Sequence, residues 1–145
     1  MSTQAELKEI VSVIQEELNR EAEKHESKRA DCFIYEEFVE RISEILEKHG
    51  FQRWDTTDIL GEGSDWKWGY GQTLTYDKND IYIEIVTNIE GSGDTVLTVS
   101  ARVFRIYSYE YDEEDNAIIH FAYEVKFKDN KIELIDCSDD LSDEL

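Results

Sequence analysis

The order of hydrophobic periods along the chain predicts an α+β fold, two N-terminal helices packed on an antiparallel sheet of about five meandering strands. Three observations carry this expectation. Apolar residues recur at three- and four-residue steps as far as Lys48; from Phe51 the period falls to two; and short Asn-, Asp- and Gly-containing segments divide the two-periodic region. Helices followed by a run of strands define α+β rather than an alternating α/β chain.

The first helix is expected from Thr3 to about Arg29. Leu7, Ile10, Val11, Ile14, Leu18 and Ala22 make one apolar stripe. Ser2 or Thr3 can cap it, with Glu6 three residues after Thr3 as in a capping box. A second helix is expected from about Phe33 to Lys48, with Tyr35, Phe38, Val39, Ile42, Ile45 and Leu46 inward and Asp31 as its cap. Lys48, His49 and Gly50 form a stop signal: basic groups at the negative end of the dipole, then a glycine for the left-handed turn.

The strands follow in order. Trp66, Trp68, Tyr70, Gln72, Leu74 and Tyr76 alternate, then Asp77 to Asp80 turn. Ile81, Ile83, Ile85 and Ile89 alternate with Tyr82, Glu84 and Asn88, and Gly91-Ser92-Gly93-Asp94 signals a hairpin. In the next strand Leu97, Val99, Ala101 and Val103 share a face. The apolar parity then shifts to Phe104 and Ile106, which predicts a bulge between Val103 and Arg105. Asp112 to Asn116 turn, Ile119, Phe121, Tyr123, Val125 and Phe127 alternate, and Lys131 to Cys137 close the sheet. Residues 1–137 are thus expected to form one domain and 138–145 an acidic C-terminal tail. One sheet face should carry the helices and the other should be partly wet.

Charge bounds the function classes. The 145 residues hold 35 acidic and 15 basic side chains, a net charge of −20. Spread over roughly 7,700 Å² of expected surface, this is about one uncompensated negative charge per 400 Å². Such a field opposes direct binding to nucleic acid or to an anionic membrane. The charge is uneven: residues 109–145 carry half of it. The acids gather as Glu110, Asp112, Glu113, Glu114 and Asp115, and again as Asp136, Asp139, Asp140, Asp143 and Glu144.

No catalytic motif is present, so no enzymatic activity is expected. Gly61 to Trp66 lack the third glycine and the Lys-Ser/Thr pair of a phosphate loop. Asp112 to Asn116 lack the spacing, central glycine and closing Glu of a calcium loop. His25, His49 and His120 do not pair at metal-ligand spacing, and Cys32 and Cys137 form no Cys-x-x-Cys. No cofactor and no metal are expected. The polar opening from Met1 to Ile10 has no basic and apolar leader regions, and no run of 18 apolar residues exists, so a cytoplasmic protein with reduced thiols is expected.

What remains is binding. Tyr107, Tyr109 and Tyr111 share one strand face and lead into the acidic turn. Aromatics supply contact energy and acids supply orientation. The expectation is a small acidic module, of inhibitor, immunity-like or nucleic-acid-mimic kind, that occupies a basic surface of a partner protein, itself a candidate nucleic-acid binder. Its contact residues are Tyr109 and Tyr111 as anchors with Asp112, Glu113, Glu114 and Asp115, joined by Asp139, Asp140, Asp143 and Glu144. Two alternatives stand beside it. One is an adaptor or homodimer using an exposed helical face, such as Leu7 with Val13; the other is a small-ligand binder with a pocket between helices and sheet.

Overall fold

A computed structural model describes residues 4–25, 34–61, 68–91, 98–129 and 131–139. Helices α1 (Gln4–His25) and α2 (Tyr35–Lys48) precede six strands: β1 (Gln52–Gly61), β2 (Trp68–Lys78), β3 (Ile81–Gly91), β4 (Thr98–Tyr111), β5 (Ala117–Lys128) and β6 (Lys131–Asp136). The strands lie in the sheet in chain order, β1 to β6, and every neighbouring pair is antiparallel. The fold is α+β as expected, with one strand more than about five. The additional strand is β1, whose sequence QRWDTTDILG carries too few apolar residues to alternate visibly.

Both helices pack on one sheet face. Leu7, Val11, Ile14 and Leu18 of α1 and Phe38, Ile42 and Leu46 of α2 are buried against Leu74, Tyr76, Ile83, Ile85, Val103 and Ile106. Leu7 therefore belongs to the core and is not part of an exposed helical stripe; only Val13 of that pair is exposed. No helix among the described residues is long and apolar enough to cross a membrane.

The end of α2 follows the expected stop. Gly50 has φ +90°, its N–H donates to the Glu47 carbonyl at 2.9 Å, and the Phe51 N–H donates to the Leu46 carbonyl at 3.0 Å. This paired closure satisfies two of the last carbonyls and brings Phe51 back onto Leu46. The start differs from expectation. Ile34 is the capping residue, in extended conformation and without a side-chain cap. Asp31 and the proposed caps Ser2 and Thr3 lie outside the described residues. With no proline in the chain, the turns use left-handed Asn79, Asp115 and Asp129, at φ 57°, 63° and 51°.

Polar groups fix the helices laterally. The Gln15 Nε2 donates to the Ala101 carbonyl at 3.0 Å, and the Val103 N–H donates to Gln15 Oε1 at 2.8 Å. The Tyr35 hydroxyl meets Thr87 Oγ1 at 2.7 Å, and that hydroxyl donates to the Gln72 carbonyl at 3.0 Å. Beside this tether Gly71 is indispensable, because a Cβ there would lie 2.9 Å from both Asn88 Oδ1 and the Thr87 carbonyl oxygen.

Glu17 of α1 joins the end of α2. Its carboxylate accepts from Lys48 Nζ at 2.8 Å and lies 2.6 Å from His49 Nε2. Hydrogen bonds from Lys48 and then His49 hold the Glu17 carboxyl below its ordinary value of 4.5. A depressed carboxylate stabilises the fold above its ordinary pKa and loses that contribution as pH falls through the folded value. Glu17→Gln should therefore cost about 0.5–1 kcal/mol near pH 7. The difference from the native chain should shrink below pH 4.5. Urea unfolding of both proteins across the acid range checks this; a cost that persists unchanged at low pH would refute the charge account.

Candidate functional site: an aromatic stripe on the outer sheet face

The expected bulge in β4 is present. Glu84 pairs with Arg105 but Ile85 pairs with Val103, leaving Phe104 as the extra residue. Before it, Val99, Ala101 and Val103 face the helices; after it, Ile106 and Ser108 do. One inserted residue reverses the parity of everything that follows. Arg105, Tyr107, Tyr109 and Tyr111 are thereby turned to the outer face, where Tyr107 meets Tyr82 of β3.

Three tyrosines stack there. Tyr82 and Tyr107 have ring centroids 5.4 Å apart and planes 12° apart; Tyr82 and Tyr109 are separated by 5.1 Å and 24°. Tyr107 and Tyr109 complete the group at 5.9 Å. Trp54 packs edge-on against Tyr82 at 5.4 Å, and Tyr111 edge-on against Tyr109 at 5.5 Å. The result is a continuous stripe, Trp54–Tyr82–Tyr107–Tyr109–Tyr111. Its ends are open, with Trp54 55 % and Tyr111 54 % exposed, while Tyr107 in the middle is buried.

Two further bulges contribute. In β1 the register shifts between Arg53 and Asp55, which leaves Trp54 unpaired and available to the stripe. In β5, Ser108 pairs with Phe121 and Tyr109 with Ile119, so His120 is the extra residue. This corrects the single apolar face expected from Ile119 to Phe127. Phe121, Tyr123 and Val125 pack with the main core, whereas Ile119 packs on the outer face with Tyr109, Ala122 and the buried thiol of Cys137. Cys32 lies outside the described residues.

Beside the stripe, Arg105 Nε donates to Glu84 Oε1 at 2.6 Å and Nη2 to Oε2 at 3.3 Å. The guanidinium also lies over the rings of Phe104 and Tyr107, at 5.5 and 5.7 Å. A two-pronged pair with stacked faces holds Arg105 as a wall of the stripe.

The turn following Tyr111 is ordered by its own first residue. The Asp112 carboxylate accepts the N–H of Glu114 at 2.8 Å and of Asn116 at 2.9 Å. These bonds, that from Asn116 foremost, hold the Asp112 carboxyl below its ordinary 3.8. Asp112, Glu113, Glu114 and Asp115 are all exposed. The structure thus brings Tyr109 and Tyr111 together with this turn, as expected. Two members of the second acidic group, Asp136 and Asp139, lie among the described residues. Asp136 pairs opposite Tyr123, six residues along β5 from Ala117, or roughly 20 Å at the strand rise. That exceeds the Debye length of about 8 Å at physiological salt. Asp139 is exposed beyond it, and Asp140, Asp143 and Glu144 lie outside the described residues.

Sequence reading missed Trp54 and Tyr82 as site residues. Tyr82 could have been found, since it occupies the polar face of a strand otherwise apolar at every second position. Trp54 could not, because its placement depends on a bulge in a strand without visible alternation.

On the helix side, a cleft of about 700 Å³ lies between α2 and the first two strands, bordered by Glu36, Glu40, Glu47, Arg53 and Gly71. Among the described residues, no three His, Cys, Asp or Glu side chains are grouped so as to hold a metal ion. Comparison of the chain with protein-family models, curated proteins and solved structures found no match.

Burial pushes the Tyr107 hydroxyl well above its ordinary 10.0 and, with the neighbouring Tyr82 and Tyr111, pushes Tyr109 up to about 12. Raised acids stabilise the fold fully below their ordinary pKa and lose that contribution as pH rises through the folded value. Stability should therefore decline from pH 10 upward, with Tyr109 ionising near pH 12. Tyr107→Phe should flatten this alkaline decline in urea titrations; an unchanged slope would show that the stripe is not desolvated.

Proposed function

We propose that the protein is a binding module, not an enzyme, which sets its outer sheet face against a basic surface of a partner protein. The observation that supports this reading is the continuity of the aromatic stripe with the rigid acidic turn. Trp54 and Tyr111 offer exposed anchor area at the two ends. Asp112, Glu113, Glu114 and Asp115 hold negative charge at one of them. Large rigid aromatics are the usual source of binding energy, and carboxylates orient a positively charged partner during encounter. A partner surface that otherwise holds phosphates matches this arrangement, which makes the module an inhibitor or nucleic-acid mimic acting in the cytoplasm.

A second reading, a cationic small ligand in the cleft beside α2, draws on the acidic border formed by Glu36, Glu40 and Glu47. Under it, substitution of Glu40 and Glu47 abolishes binding and substitution of the turn does not.

Affinity capture from the native host, followed by kinetics with the purified partner, tests the proposal. Reversing Asp112, Glu113, Glu114 and Asp115 to Lys should slow association by roughly tenfold or more at about 0.1 M salt and far less at about 0.5 M. Trp54→Ala and Tyr111→Ala should each cost about 2 kcal/mol, mainly through faster dissociation. Duplex DNA should compete for the partner. Association indifferent to salt and to these substitutions, or a concentration-dependent mass showing self-association through the stripe, would overturn the reading.

A further inference from the structure

β4 has two strand neighbours along only part of its length. β3 pairs with it from Thr98 to Ser108, but β5 pairs with it only from Arg105 to Tyr111. Among the described residues, Thr98 to Phe104 therefore have a strand on one side alone. On the other side β5 diverges, staying paired to β6 as far as Lys128.

Gln15 shows how this edge is used. Its carboxamide, a peptide group in miniature, accepts from the Val103 N–H and donates to the Ala101 carbonyl. In an antiparallel strand the N–H and C=O of alternate residues point to the same side. The N–H of Ala101 and both main-chain groups of Val99 are therefore directed the same way as the groups that Gln15 engages. A cleft of about 690 Å³ runs beside this edge, lined by Gln15, Glu16, Asn19, Ala101 and Phe127. A smaller hollow of about 220 Å³ continues it past Glu23 and Val99. The size is that of a ligand cleft, about 300–1,000 Å³.

We propose that this cleft binds an extended, basic segment of another protein as an added strand on the edge of β4. Main-chain pairing with Val99 and Ala101 supplies the affinity, and alternate side chains supply the selectivity. Glu16 and Asp129 border the cleft and Glu23 its continuation, which favours Lys or Arg at the positions facing them. Arg102, the basic residue of the lining, already lies over the Phe104 ring at 5.4 Å. Phe127, 42 % exposed, gives the segment an apolar contact on the β5 side. The site is separate from the outer stripe and stands whether or not the partner docks there.

The full-length, isotope-labelled chain is titrated with acetyl-Lys-Val-Lys-Val-Lys-Val-amide. The expected result is saturable binding with the largest resonance shifts at the amides of Val99 and Ala101. N-methylation of alternate valines should weaken binding by roughly tenfold, since it removes donors without changing charge. Glu16→Lys with Glu23→Lys, both on the exposed surface of α1, should weaken it comparably. Lysine substitutions in the Asp112 to Asp115 turn should leave it within about twofold, which separates this site from the stripe. Equal binding of the N-methylated peptide, shifts concentrated elsewhere, or no binding would overturn the proposal.

Discussion

The outer face of this protein depends on one inserted residue. Had β4 continued in the register set by Val99, Ala101 and Val103, Arg105, Tyr107, Tyr109 and Tyr111 would point at the helices. Ile106 would then face water. Phe104 absorbs the shift, and the two arginines flanking it lie over its ring, at 5.4 Å for Arg102 and 5.5 Å for Arg105. The core below and the aromatic stripe above are thus two results of the same irregularity. Bulges are local faults in hydrogen bonding, tolerated where the re-aimed side chains repay the lost pair. Here the return is an ion pair at 2.6 Å and a stack of three rings.

The fold was legible where burial writes a period into the sequence. α1, α2 and the strands from β2 onward are amphipathic, so their hydrophobic positions name the face they bury. The bulge at Phe104 was legible for the same reason, because parity before and after it is unambiguous. The bulge at His120 was hidden, because Ile119 is apolar and continues in the sequence the alternation of Phe121 and Tyr123. It does find an apolar neighbourhood, but on the opposite face. β1 was hidden because six of its ten positions are polar or charged.

The candidate site was legible in part. Tyr109, Tyr111 and the Asp112 to Asp115 turn are consecutive in the chain, so strand geometry alone places them together. Trp54 and Tyr82 come from two other strands and join only through pairing across the sheet. Sequence distance also concealed the place of Asp136 relative to the turn, which depends on how far β6 runs along β5.

The strand order gives the chain an asymmetric assembly. Every strand pairs with its sequence neighbour, so the sheet closes hairpin by hairpin with short loops and little entropic cost. The contact from Gln15 to Ala101 spans 86 residues. At translation speeds of about 5–20 residues per second, α1 emerges some 4–17 s before the strand it grips. Through that interval Leu7, Val11, Ile14 and Leu18 lack Val103 and Ile106 of β4, which complete their cover. The apolar stripe of α1 is therefore completed late in synthesis, whereas its exposed Glu9, Glu16 and Glu23 face water from the start.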